Sequence, residues 1–120
     1  MRKVAALAAV MTISLGALTA CSGSSGYCSA LKDNSGAASM PQNGDFGPVI
    51  EKAKKVADKA PAEQKAHWTV LIEFMEKFQA AKGDPAKTAA LAGESAKVAP
   101  ASEAISKYAK DECKVEIKGA

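Results

Sequence analysis

Three apolar stripes of helical period, each closed by a proline or a glycine, run through residues 46–99 of this chain and restrict that stretch to a set of short helices. Phe46, Val49, Ile50, Ala53, Val56, Ala57 and Ala60 recur at spacings of three and four, with Glu51, Lys52, Lys54, Lys55, Asp58 and Lys59 between them. That is one face of an amphipathic helix. Asp45 is placed to cap its start, and Pro48 is tolerable because it lies in the first turn. Pro61 ends this helix and opens the next, whose first turn carries Glu63 as the helix dipole favours. Trp68, Leu71, Ile72, Met75 and Phe78 form its stripe. Val70 and Phe74 widen the apolar arc to about half the circumference, which suits a core helix packed on two sides. Gly83, after Lys82, is the expected C-cap.

Asp84-Pro85 repeats the start signal, an N-cap residue followed by proline at the first helical position. The helix expected from Pro85 to about Ala99 is nearly all small, with Ala86, Ala89, Ala90, Ala92 and Ala96. Alanines permit close approach but bury little area each. Pro100 is expected to break it, and Ala101, Ala104, Ile105, Tyr108 and Ala109 mark a last helix reaching Cys113. Val115-Glu116-Ile117 alternates like a strand but has no partner run, so a tail is expected. Ahead of these stripes, Tyr27 to Lys32 reads as a short first helix stopped by Asp33-Asn34-Ser35-Gly36. A polar loop from Gly36 to Gly44 follows it. With 120 residues there is room for one small domain. Short connections between successive helices make the expected fold all-α, a small up-and-down bundle of four to five helices.

The first twenty residues have a different character. Met1-Arg2-Lys3 is positive, and Val4 to Leu18 is apolar and uncharged. About 15 such residues are short for the roughly 30 Å of a bilayer's hydrocarbon and typical of a signal peptide. Leu18-Thr19-Ala20-Cys21 then resembles the bacterial lipobox. In that chemistry the cysteine thiolate takes a diacylglyceryl group as a thioether, and cleavage before it frees an amino group for further acylation. The reading is a signal peptide at residues 1–20, a lipidated Cys21 with a flexible tether to Gly26, and a helical domain over 27–120. Two or three acyl chains hold a protein stably where one does not. The expected location is therefore the outer face of the cell membrane, lipid-anchored.

With Cys21 committed to lipid, Cys28 and Cys113 are the cysteines that remain of three. In an oxidising compartment an even remainder reads as a disulfide. Closing a loop of about 85 residues is credited with about 4–5 kcal/mol by chain entropy, comparable to the net stability of a small domain. Removing Arg2 and Lys3 leaves 14 basic and 13 acidic side chains. Near neutrality, without a clustered basic face, speaks against nucleic acid as a partner.

Candidate chemistry is sparse. His67 is the chain's one histidine, which excludes histidine-rich zinc sites, and no metal or other cofactor is expected. The plain reading is a rim histidine making one hydrogen bond. The sharper one is a ligand-binding group near Trp68 and Phe74 in a small carrier of haem or lipid, with Tyr27, Tyr108 and Met75 as further candidates. Such a carrier requires a pocket of at least roughly 300 Å³. No Gly-x-Ser-x-Gly elbow and no glycine-rich phosphate loop occurs. The pairs Glu73/Glu76 and Asp111/Glu112 read as solvated surface, with Glu73 and Lys77 in the favourable order for a surface ion pair. An enzyme is not expected.

Tyr27-Cys28, Ala60-Pro61-Ala62-Glu63 with Trp68, and Tyr108 through Cys113, together with the lipobox, resemble a group of small actinobacterial helical lipoproteins of unknown function. The resemblance covers most of the chain after Cys21. It implies a helical fold with the terminal cysteines joined, and it transfers no activity. The function expected is that of a non-catalytic envelope protein presenting a helical face, or its Asn34–Gly47 loop, to another envelope protein or to cell-wall polymer. The alternative is the small carrier of an apolar ligand.

Overall fold

The apolar stripes become helices wherever a start signal precedes them. The computed structural model describes residues 20–117, with side chains from Gly26 onward, and contains α1 (Ala20–Asp33), α2 (Gly47–Lys59), α3 (Ala62–Ala80) and α4 (Pro85–Cys113). The signal-peptide stretch of residues 1–19 lies outside the described residues. Helix α3 packs along both α2 and α4, and α1 packs on α2 and α4. The four helices thus surround one core in chain order, with α1 and α3 facing each other diagonally. Tyr27, Leu31, Phe46, Val56, Trp68 and Ile105 are its largest fully buried side chains.

Several boundaries differ from expectation, each for an identifiable reason. Helix α1 is longer than Tyr27–Lys32, and the stretch read as a flexible tether, residues 22–26, is helical backbone. Serine and glycine are weak helix formers. Their turn is a continuation of one already fixed by buried Tyr27 and Leu31, and propagation costs less than nucleation. Pro100 does not break α4, which runs unbroken for 29 residues. A proline removes one N–H donor from the ladder. Here the helix is held on both sides of it, by buried Leu91 before and buried Ala101 and Ile105 after, while Pro100 faces solvent.

The caps are mixed. Asp84 behaves as expected, its Oδ1 accepting from the N–H groups of Ala86 at 3.1 Å and Lys87 at 3.2 Å. Asp45 sits one residue too early to cap α2, whose N-cap is Phe46. Its carboxylate instead accepts the Gly47 N–H at 3.0 Å. The Phe46 N–H donates to Gln79 Oε1 of α3 at 2.9 Å, and Gln79 Nε2 donates to Asp45 Oδ1 at 3.3 Å. A side chain 33 residues away thereby closes the start of α2. Helix α3 ends at Ala80 with Ala81 as its C-cap. Gly83 belongs to the turn that follows, where φ of +88° favours a residue without Cβ. After α4, Lys114 adopts the left-handed conformation, and residues 114–117 form the expected tail rather than a strand.

Candidate functional site

Cys28 and Cys113 are joined, with sulfurs 2.02 Å apart and Cα atoms 5.1 Å apart. The bridge ties α1 to the last residue of α4 and closes the first and last helices on each other. Beside it, Tyr27 is fully buried and packs edge-inclined on Tyr108, with ring centroids 5.6 Å apart. Burial raises the Tyr27 hydroxyl above its ordinary pKa of 10. The Trp68 hydrogen bond opposes this shift and Tyr108 adds to it. Cys21 lies in the first turn of α1, and its side chain falls outside the described residues.

The three residues proposed for a carrier pocket have separate surroundings. Trp68 is fully buried in the core shared with Ile50, Val56 and Ile105, and its indole N–H donates to the Tyr27 hydroxyl at 2.8 Å. This is the structural role of a buried tryptophan whose polar edge finds a partner. His67, the next residue, is half-buried. Phe74 is half-buried toward α4 and lies against Phe78 at 6.3 Å, while Phe78 meets Phe46 at 5.0 Å with the two rings tilted by 56°. Val70, expected to widen the core stripe, is 37% exposed.

Phe74 lines an open groove of about 480 Å³ between α3 and α4, together with Val98, Ala99, Ser102 and Ser106. Its walls are mainly apolar and neither His67 nor Trp68 contributes to them. The rim on the other side of Phe74 carries Lys77, which pairs with Glu94 of α4 at 2.9 Å rather than with Glu73 on its own helix. That contact raises the Lys77 pKa and lowers that of Glu94. Glu76 pairs across to Lys54 of α2 at 2.6 Å. These exposed pairs join neighbouring helices.

A second groove, of about 230 Å³, lies between the first turn of α3 and the end of α4. Gln64, Ala104, Lys107, Tyr108, Asp111 and Glu112 line it. Gln64 is 6% exposed and its Oε1 has no hydrogen-bond partner. An acceptor left in that state costs about 1–3 kcal/mol. Pro61 precedes this turn of α3 and no side chain caps it. Burial holds the Tyr108 hydroxyl above its ordinary value of 10, and the charges of Glu112 and Glu63 add to the shift.

Among the described residues no cluster of three or more histidine, cysteine or acidic side chains could hold a metal ion, and no helix is long and apolar enough to cross a membrane. Two side chains that matter here carried no sequence signal. Gln79 and Gln64 look like ordinary polar helix positions, and only the partner helix gives each its role. No protein-family model, no curated protein and no solved structure matches the chain.

Proposed function

We propose that this protein is an exported bacterial lipoprotein, cleaved before Cys21 and held to the membrane by lipid on that cysteine. In this reading its disulfide-closed helical domain acts as a non-catalytic interaction module of the cell envelope. The observation that carries the reading is Leu18-Thr19-Ala20-Cys21 placed directly after a charged start and an uncharged apolar stretch. The Cys28–Cys113 bridge supports it, because such bonds persist in oxidising compartments and are rare in the cytosol. The resemblance to small actinobacterial helical lipoproteins points the same way. A domain anchored by acyl chains needs no membrane-inserting patch of its own, and the exposed faces of α2 and α4 are polar or small.

A carrier of haem or lipid is the alternative. What supports it is the apolar groove at Phe74, whose volume is sufficient for a slender apolar ligand. What weighs against the version centred on His67 is that Trp68 has its whole surface, indole N–H included, engaged inside the core. Detergent phase partitioning tests the main reading. Wild-type protein expressed in a bacterium that acylates lipoproteins should enter the detergent phase, and Cys21→Ser should stay in the precursor form. A Cys21→Ser protein that is processed and partitions like wild type sinks the proposal.

A further inference from the structure

The loop that leads into α2 carries Asn43-Gly44, a side-chain amide followed by a residue without side-chain bulk. Asn43 is exposed, and its side-chain oxygen accepts the Asp45 N–H at 3.1 Å. That bond folds the side chain over the Gly44 peptide, so the Asn43 amide carbon and the Gly44 nitrogen share one tight turn. Gly44 adopts φ of +70°, and no atom lies within 4 Å of the place a Cβ would take. Its N–H donates to the Pro41 carbonyl at 3.2 Å, and a rotation of this peptide releases it. The chain's other asparagine, Asn34, is held differently. It is half-buried at the end of α1, its Nδ2 donates to the Ala30 carbonyl at 3.0 Å, and Ser35 follows it. The structure thus offers a nucleophilic nitrogen open access to the amide at position 43 and ties the amide down at position 34.

We propose that Asn43-Gly44 is a self-modification site, where the folded chain converts Asn43 to aspartate and isoaspartate, and that the isoaspartate form opens the clamp between Gln79 and the start of α2. Hydroxide takes the Gly44 amide proton, and the nitrogen attacks the Asn43 side-chain carbonyl carbon. A C–N bond forms there, the bond to the side-chain nitrogen breaks, and that nitrogen leaves as ammonia. The five-membered cyclic imide then takes up water at either carbonyl and opens, so the net change is water in and ammonia out. Opening at the main-chain carbonyl gives isoaspartate, whose chain runs through the former side chain and is one carbon longer. Asp45 and Phe46 follow directly, and both reach Gln79 of α3, through the Asp45 Oδ1 contact at 3.3 Å and the Phe46 N–H bond at 2.9 Å. An added carbon just ahead of them shifts both partners out of register with Gln79. Opening at the other carbonyl gives aspartate, whose oxygen still accepts the Asp45 N–H and leaves the clamp closed. The site depends on neither the lipid anchor nor the interaction role.

The test is to age the full, folded chain in detergent micelles at mildly alkaline pH and to map its peptides by mass spectrometry. Electron-transfer fragmentation tells aspartate from isoaspartate. A synthetic peptide spanning residues 38–48, aged beside the protein, sets the time over which conversion is awaited. Amide-to-acid conversion is expected at Asn43, as both isomers, while Asn34 stays intact. Gly44→Ala should slow it roughly tenfold, because a Cβ crowds the attacking nitrogen. Since φ of +70° strains an alanine, Asn43→Ser is the second variant: its hydroxyl keeps an acceptor for the Asp45 N–H and has no carbonyl to attack. Asn43→Ser should show no conversion and keep the native circular-dichroism signal. In the aged wild type, NMR should show a second Phe46 amide resonance in proportion to isoaspartate. An intact Asn43 in the folded chain after the peptide has converted, equal conversion at Asn34, or a Phe46 resonance unmoved by isoaspartate would each overturn the proposal.

Discussion

Replacing Tyr27 by phenylalanine removes one oxygen from the centre of the bundle and isolates the contribution of a single hydrogen bond. The Tyr27 hydroxyl accepts the Trp68 indole N–H at 2.8 Å, and both residues are fully buried, so water cannot replace the lost partner. The ring is retained, and with it the contact to Tyr108 at 5.6 Å. What remains is a buried N–H without an acceptor, at a cost of about 1–3 kcal/mol. For a domain of this size each kcal/mol moves Tm by about 4–8 °C, so Tyr27→Phe should melt about 5–20 °C below wild type by circular dichroism. The double variant with Trp68→Phe should cost less than the two single changes added, because no orphaned donor is then left. If Tyr27→Phe lies within about 0.5 kcal/mol of wild type, the reasoning about this bond fails.

The same tyrosine gives a pH dependence. Burial lifts its pKa above 10, so the folded protein keeps a proton that the unfolded chain releases, and stability is full below about pH 10 and declines as pH rises beyond it. In Tyr27→Phe this part of the decline is absent, and thermal melts from pH 9 to 11 should show the gap to wild type narrowing. Removing the bridge with Cys28→Ser and Cys113→Ser frees a loop spanning 85 positions. Urea unfolding should report a loss approaching the chain-entropy value of about 4–5 kcal/mol, and a loss below about 1 kcal/mol would show that the termini are held by packing alone. Pro100→Ala should stabilise the domain by about 1–3 kcal/mol in the same assay, since α4 already continues through this exposed position and would regain a hydrogen bond. A destabilised Pro100→Ala would mean that the proline shapes α4 in a way its neighbours require.

The helical class, the Asp84-Pro85 start and the Cys28–Cys113 pairing were legible in the sequence because each rests on local or arithmetic signals. A capping side chain two or three residues from its N–H groups is visible in one dimension, and so is a two-cysteine remainder. Positions settled by the partner helix were not legible. Pro100 carries a correct local warning that packing of Leu91, Ala101 and Ile105 overrides, and Ser22–Gly26 reads as a coil until the turn beyond it is fixed by Tyr27 and Leu31. Val70 satisfies the helical stripe but lies exposed at the edge of the α3–α4 contact, since a 100° step does not say where a neighbouring helix ends. His67, Trp68 and Phe74 are close in sequence, yet the bundle sends Trp68 to the core and Phe74 to the α4 interface. The orphaned oxygen of Gln64 was not legible because it exists only where α4 covers the first turn of α3.

Intact mass spectrometry of the protein purified from the membranes of an acylating bacterium addresses the proposed anchor most directly. The account predicts a chain that begins at Cys21, carries the 28–113 disulfide, and is heavier than its polypeptide by a diacylglyceryl group, with or without an additional acyl chain on the amino group. A chain that begins at Met1, or one that begins at Cys21 without lipid, would contradict it.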